Sequence, residues 1–120
     1  MLIRYYSAPY PEGFKAVKIL TTHATAFNTR GPLHEVAVLK KIAAEDQAKV
    51  LPILEDSFEI SGPHGSHIAL IFPVLTTDIG DFRRTAPNQR LPLHTVRETI
   101  YSVLAALVQL HTLGIIHTGA

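Results

Sequence analysis

Two side chains of opposite charge, Lys18 in "AVKIL" and Glu35 in "LHEVAVLKKI", stand seventeen residues apart in the chain. A lysine on a strand and a glutamate in the first turn of a helix can meet when that helix packs on the sheet, and the pair then orients the ammonium. Taken singly, each reads as a solvated surface charge of little energetic consequence. Other groupings offer less chemistry. His64 and His67 in "HGSH" are a close histidine pair in a turn, but with no cysteine and no third ligand beside them they fall short of a zinc site. Glu55, Asp56 and Glu59 lie close together in "LEDSFE", yet on a strand Glu55 and Asp56 face opposite sides, so they read as edge charges. Arg83 and Arg84 read as a charge pair at a helix end. The "GPHG" stretch lies between two strands rather than between a strand and a helix, so it is not a phosphate loop.

The elements that must position these residues are marked by hydrophobic period. "FKAVKIL" (Phe14 to Leu20) is rich in β-branched and aromatic residues and reads as a strand with Ala16, Lys18 and Leu20 on one face. A Thr-rich loop and the turn signal "RGP" follow. From Leu33 to about Glu45, apolar Leu33, Val36, Ala37, Leu39 and Ile42 recur near helical spacing, so Glu35 falls in the first turn of a helix. "LPILEDSFEI" and "SHIALIFPVL" read as two strands of a hairpin, with Gly62, Pro63 and Gly65 in its loop. "TTDIGDFRRTAPNQR" reads as a short helix plus loop. Leu91–Pro92 then opens a long helix with Val96, Ile100, Val103, Leu104, Leu107 and Leu110 on one stripe and Gly114 as its stop, and a strand is expected after it at Ile115–Ile116. That stripe is wide enough to need cover on more than one side.

Composition sets the frame. The chain has 120 residues, of which 47% are hydrophobic and 18% charged, the composition of a small globular domain. A net charge of +1, with its Lys and Arg residues scattered, gives no basic footprint for nucleic acid. The most apolar window, Val103 to Ile116, is interrupted by Gln109, His111 and Thr112 and is far shorter than the roughly 20 apolar residues of a membrane span. "MLIRYYSAPY" fails as a signal peptide and reads as a loose leader. The lack of cysteine removes disulfides and thiolate chemistry and suits a reducing compartment, cytosol or nucleus.

The order of a lysine strand, a glutamate helix, a hairpin ending in "IFPVL" and then "LPLHTVRETIYSVLAALVQLHTLGIIHT" resembles the first part of a protein kinase, and more closely the SR-protein kinases and their fungal relatives. The resemblance runs from about Phe14 to Thr118. Its most specific stretches are "FEISGPHGSHIALIFPVL" and "ALVQLHTLGIIHT", where the family writes a strand, "SGPNGxH", an apolar strand, and later "LHxxGIIHTDIK". By this resemblance Lys18 matches the strand lysine that holds the α- and β-phosphates of ATP, a task suited to a cation fixed on a rigid strand. Glu35 matches the helix glutamate that pairs with it. Phe72 matches the residue at the back of the adenine pocket, and Pro73 to Leu75 match the hinge whose backbone binds adenine. Pro73 has no N–H but keeps its carbonyl, and Leu75 keeps both groups. Ala16 and either Val50 or Leu51 complete the expected pocket.

The same resemblance marks what is missing. His117 and Thr118 match the start of the catalytic loop, and Gly119 stands where the family has the aspartate that accepts the substrate hydroxyl's proton. The loop asparagine and the D-F-G aspartate that hold magnesium have no match, and nothing before Phe14 matches a G-x-G-x-x-G loop. The expected fold is therefore α+β, a partial protein kinase-like fold. It comprises a leader (1–13), a partial N-lobe and hinge (14–75) made of a small antiparallel sheet with one packed helix, and the start of a C-lobe with its first long helix (76–120). The expected function is that of a serine/threonine kinase-like chain truncated at the catalytic loop and without phosphotransfer as it stands, with ATP, if bound, bound weakly and magnesium ligands absent. The alternative is a pseudokinase-like binding module that holds a protein partner or weakly holds nucleotide. Neither nucleic acid nor membrane is an expected partner.

Overall fold

The computed structural model describes residues 2–7, 14–75 and 77–118. Four strands, β1 (Leu2–Ser7), β2 (Phe14–Ile19), β3 (Asp56–Gly62) and β4 (Gly65–Pro73), make one antiparallel sheet in the order β1-β2-β4-β3. Helices α1 (Thr22–Arg30) and α2 (Glu35–Glu45) separate β2 from β3. Helix α3 (Ile79–Thr85), a 3-10 turn at Pro87–Gln89 and the long helix α4 (Leu93–Thr112) follow. The mixed α and β character agrees with the expected α+β class. The chain divides into two units, Met1–Val74 and Leu75–Ala120.

In the first unit the main core cluster lies on one face of the sheet, while Val17 and Ala69 are buried on the other. In an antiparallel pair, residues directly opposite share a face, so the register Ala16↔Phe72 and Lys18↔Leu70 sets these four side chains on one side. The core gathers there from Leu20, Leu54, Ile68 and Leu70, with Ala24 of α1 and Val36 and Leu39 of α2 packed against it. Two helices therefore cover this face, not the one expected from sequence. Helix α1 was hidden because threonine is a poor helix former and a good turn former. It forms because Thr21 caps it, its hydroxyl accepting from the Ala24 N–H at 3.1 Å. The buried Thr25 hydroxyl in turn accepts from the Ile68 N–H of β4 at 3.0 Å, giving a β-branched helical residue a place no loop would need.

Two further expectations are corrected. Over Leu2–Ser7 the loose leader is instead a strand, paired residue by residue with β2 from Leu2↔Ile19 to Ser7↔Phe14. The run "LIRYYS" is rich in β-formers, and pairing it removes an open edge from the lysine-bearing strand. Residues 8–13, including Gly13, lie outside the described residues. The strand expected at Ile115–Ile116 is absent, because α4 closes in a Schellman arrangement. Gly114, at φ +73°, donates its N–H to the His111 carbonyl, and Ile115 donates to that of Leu110. The hairpin forms where the sequence places it, with a shorter first strand and a tighter turn than expected. Strand β3 starts only at Asp56, Gly62 and Gly65 form the last strand pair rather than loop, and Pro63–His64 make the turn, with Gly65 at φ +123°, a region that favours glycine.

In the second unit, α3 is capped by Asp78, whose carboxylate accepts from the Asp81 N–H at 2.7 Å. On α4, Leu110 is buried while Ile100, Val103, Leu104 and Val108 are exposed. No helix among the described residues is long and apolar enough to cross a membrane.

Candidate functional site

Lys18 is the next-to-last residue of β2, flanked on both sides by paired strands, so its backbone is fixed by the ladder. Its side chain projects from the core face, where α2 begins. Glu35 is the first residue of α2, and the Lys18 ammonium donates to its Oε1 in an ion pair. The lysine side chain is 20% exposed and the glutamate 40% exposed. Water still reaches the carboxylate, so the pair contributes little stability. Its consequence is geometric: one ammonium held at a known place on a rigid strand, with two further protons able to donate to another anion.

The remaining candidates lie around it in part. Ala16 is opposite Phe72 on the face that carries Lys18, and Phe72 is half-buried against the core. Pro73 ends β4, exposed and opposite Lys15. Leu75 follows in the second unit and is 81% exposed. Between Val50 and Leu51, it is Leu51 that is buried. Its N–H and that of Lys49 both donate to the Asp46 carboxylate, at 3.1 Å each, which folds the loop after α2 inward. His117 and Thr118 are exposed beyond α4, and Gly119 lies outside the described residues.

Several polar residues took roles that sequence reasoning missed. Glu55, read as an edge charge, pairs with Lys15 at 2.8 Å and clamps the approach to β3 onto β2. His67, one of the two turn histidines, has its Nδ1 2.9 Å from the Leu20 carbonyl, a structural contact. Arg84 pairs with Asp81 within α3. Asn28 on α1 bridges to the start of α2. Arg84 and Asp81 are three residues apart in the short helix expected there; the other partners are distant in sequence or defined by a helix that was not expected, so no local pattern announced them. Among the described residues, no group of three or more His, Asp or Glu is arranged to hold a metal ion.

No family model matches the chain. It is similar to homeodomain-interacting protein kinase 1 of Caenorhabditis elegans, 32% identical over 102 residues that cover 85% of this chain and 12% of that protein. Protein kinase dsk1 of Schizosaccharomyces pombe is 32% identical over 91 residues, which cover 72% of this chain and 17% of the relative. A serine/threonine protein kinase of Aspergillus fumigatus is 32% identical over 89 residues, covering 70% of this chain and 23% of that kinase. The chain thus spans less than a quarter of each of these relatives. All three are named protein kinases, and the similarity supports the protein kinase superfamily.

Proposed function

We propose that this chain forms the nucleotide side of a serine/threonine protein kinase-like fold, of SR-protein kinase type, and that by itself it binds ATP weakly and transfers no phosphate. The observation that carries this reading is the Lys18–Glu35 ion pair. It joins the two residues that the kinase resemblance singles out, on the sheet face that also carries Ala16 and Phe72. The residues present suit a nucleotide. Phe72 and Ala16 offer an apolar surface to adenine, the backbone of Pro73, Val74 and Leu75 offers carbonyls and, beyond the proline, N–H groups, and Lys18 offers one cation to phosphate. Magnesium has no ready-made protein cage: among the described residues no group of three or more His, Asp or Glu is arranged to hold a metal ion, and no step is assigned to it. The SR-type assignment is supported by the "SGPHGSH" turn and the "LHTLGIIHT" stretch. The absence of cysteine suits the cytosol or nucleus.

A second reading, a module that holds a protein partner, is favoured by the exposed Ile100, Val103, Leu104 and Val108 of α4. Calorimetry with adenosine and ATP separates the two. A single part-exposed charge contact should favour ATP over adenosine by about tenfold at most, and Lys18→Ala should make the two ligands equal. ATP affinity that is unchanged in Lys18→Ala, or no affinity for either ligand, would overturn the nucleotide reading.

A further inference from the structure

Helix α2 begins without a cap of its own. His34 occupies its N-cap position and makes no side-chain hydrogen bond there. The first N–H groups of a helix lack partners within it, and a cap side chain usually accepts from the second or third of them. Here the acceptor comes from another helix: the Val36 N–H donates to Oδ1 of Asn28 on α1, at 3.1 Å. The same amide donates from Nδ2 to the Ala24 carbonyl at 2.9 Å. One partner is an N–H and the other a carbonyl, so the two bonds fix which way the amide points.

We infer that Asn28 is a positioning residue for Lys18, acting through Glu35; the inference rests on the nucleotide reading only for the use to which that lysine is put. Val36 follows Glu35 directly, so the Asn28 acceptor pins the very turn from which the glutamate reaches the ammonium. Helix α1 is itself fastened to the sheet, by the Thr25 hydroxyl on the Ile68 N–H and by the 2.9 Å contact of His67 with the Leu20 carbonyl just before it. The path therefore closes on itself: β4 holds α1, Asn28 of α1 holds the first turn of α2, Glu35 holds Lys18, and Lys18 lies on β2, paired with β4. Releasing Asn28 frees that turn while leaving the ladder, the Thr25 bond and the Leu70 core in place.

The test reads Lys18 in the full chain without nucleotide, by the rate at which an amine-acylating reagent modifies it, with the exposed Lys41 as internal reference in mass spectra. Glu35→Gln removes the ion pair and should raise the rate about two- to fivefold, the factor a part-exposed pair is worth. Asn28→Ala should raise it by a similar factor, while Asn28→Asp, which keeps an acceptor for the Val36 N–H although it loses the donor to Ala24 and adds a negative charge, should stay near the wild-type rate. An unchanged rate in Asn28→Ala, or an equal rise in both Asn28 variants, overturns the inference. If Asn28→Ala fails to fold, Asn28→Asp decides: a wild-type rate together with slow hydrogen exchange at the Val36 amide supports the acceptor role, and fast exchange or a raised rate contradicts it. Because no nucleotide is present, the result stands or falls apart from the calorimetric one.

Discussion

Incubated with labelled ATP, magnesium and an Arg/Ser-rich peptide, the purified 120-residue chain will transfer no phosphate above background. Phosphoryl transfer depends on positioned charge and on neutralisation of the transferring group, with little covalent chemistry from the protein. Of that apparatus the chain supplies one cation, Lys18, oriented by Glu35. Gly119 stands where the kinase match calls for a proton acceptor, and glycine has no side chain to accept one. General base assistance is worth about a hundred- to ten-thousandfold in rate, and the sequence has no match to the loop asparagine and D-F-G aspartate that the kinase resemblance calls on to hold the neutralising metal. Gly119→Asp alone should therefore remain inactive. Turnover that persists in clean preparations and disappears in Lys18→Met would refute this expectation.

The largest effect on stability is expected from Leu70→Ala. Leu70 is fully buried, on the strand between β2 and β3, directly opposite Lys18 on one side and Ser57 on the other. Truncating such a leucine removes its transfer energy and leaves a cavity, together costing about 2–5 kcal/mol. Against the roughly 5–15 kcal/mol that holds a domain folded, this is a large fraction. For a unit of this size each kcal/mol lowers the midpoint by about 4–8 °C. Thermal unfolding followed by circular dichroism should show the loss, whereas Ile60→Ala, at a side chain 40% exposed on the opposite face, should cost far less. Equal effects at the two sites would mean that the core does not lie where the register puts it.

The elements that carry the candidate site were legible because each rests on a local signal. "FKAVKI" is a strand by composition, "SGPHG" a hairpin turn by its glycines, and the α4 stripe a helix by its period. Lys18 and Glu35 could be paired on paper because a strand position and a helix first turn were both readable, and kinase resemblance supplied the reason to join them. What stayed hidden depends on tertiary partners. Thr21, Thr25 and Thr29 look like a loop until the Thr25 hydroxyl meets Ile68 across the sheet. "LIRYYS" looks like a leader until β2 offers it an edge. Asn28 has no meaning in sequence, since its function requires α1 to exist and α2 to lack its own cap. Ile115–Ile116 misled because two adjacent β-branched residues suggest a strand, whereas the backbone there is consumed in closing α4.

If adenine is received along Phe72–Leu75 and phosphate by Lys18, amide NMR during successive titrations with adenosine and ATP will resolve the two contacts separately. Adenosine should shift the amides of Ala16, Phe72, Val74 and Leu75. ATP should add shifts at Lys18 and at Glu35 in the first turn of α2. Shifts confined to α4, or to the α1 surface away from β2, with Ala16, Lys18 and Phe72 unmoved, would contradict it.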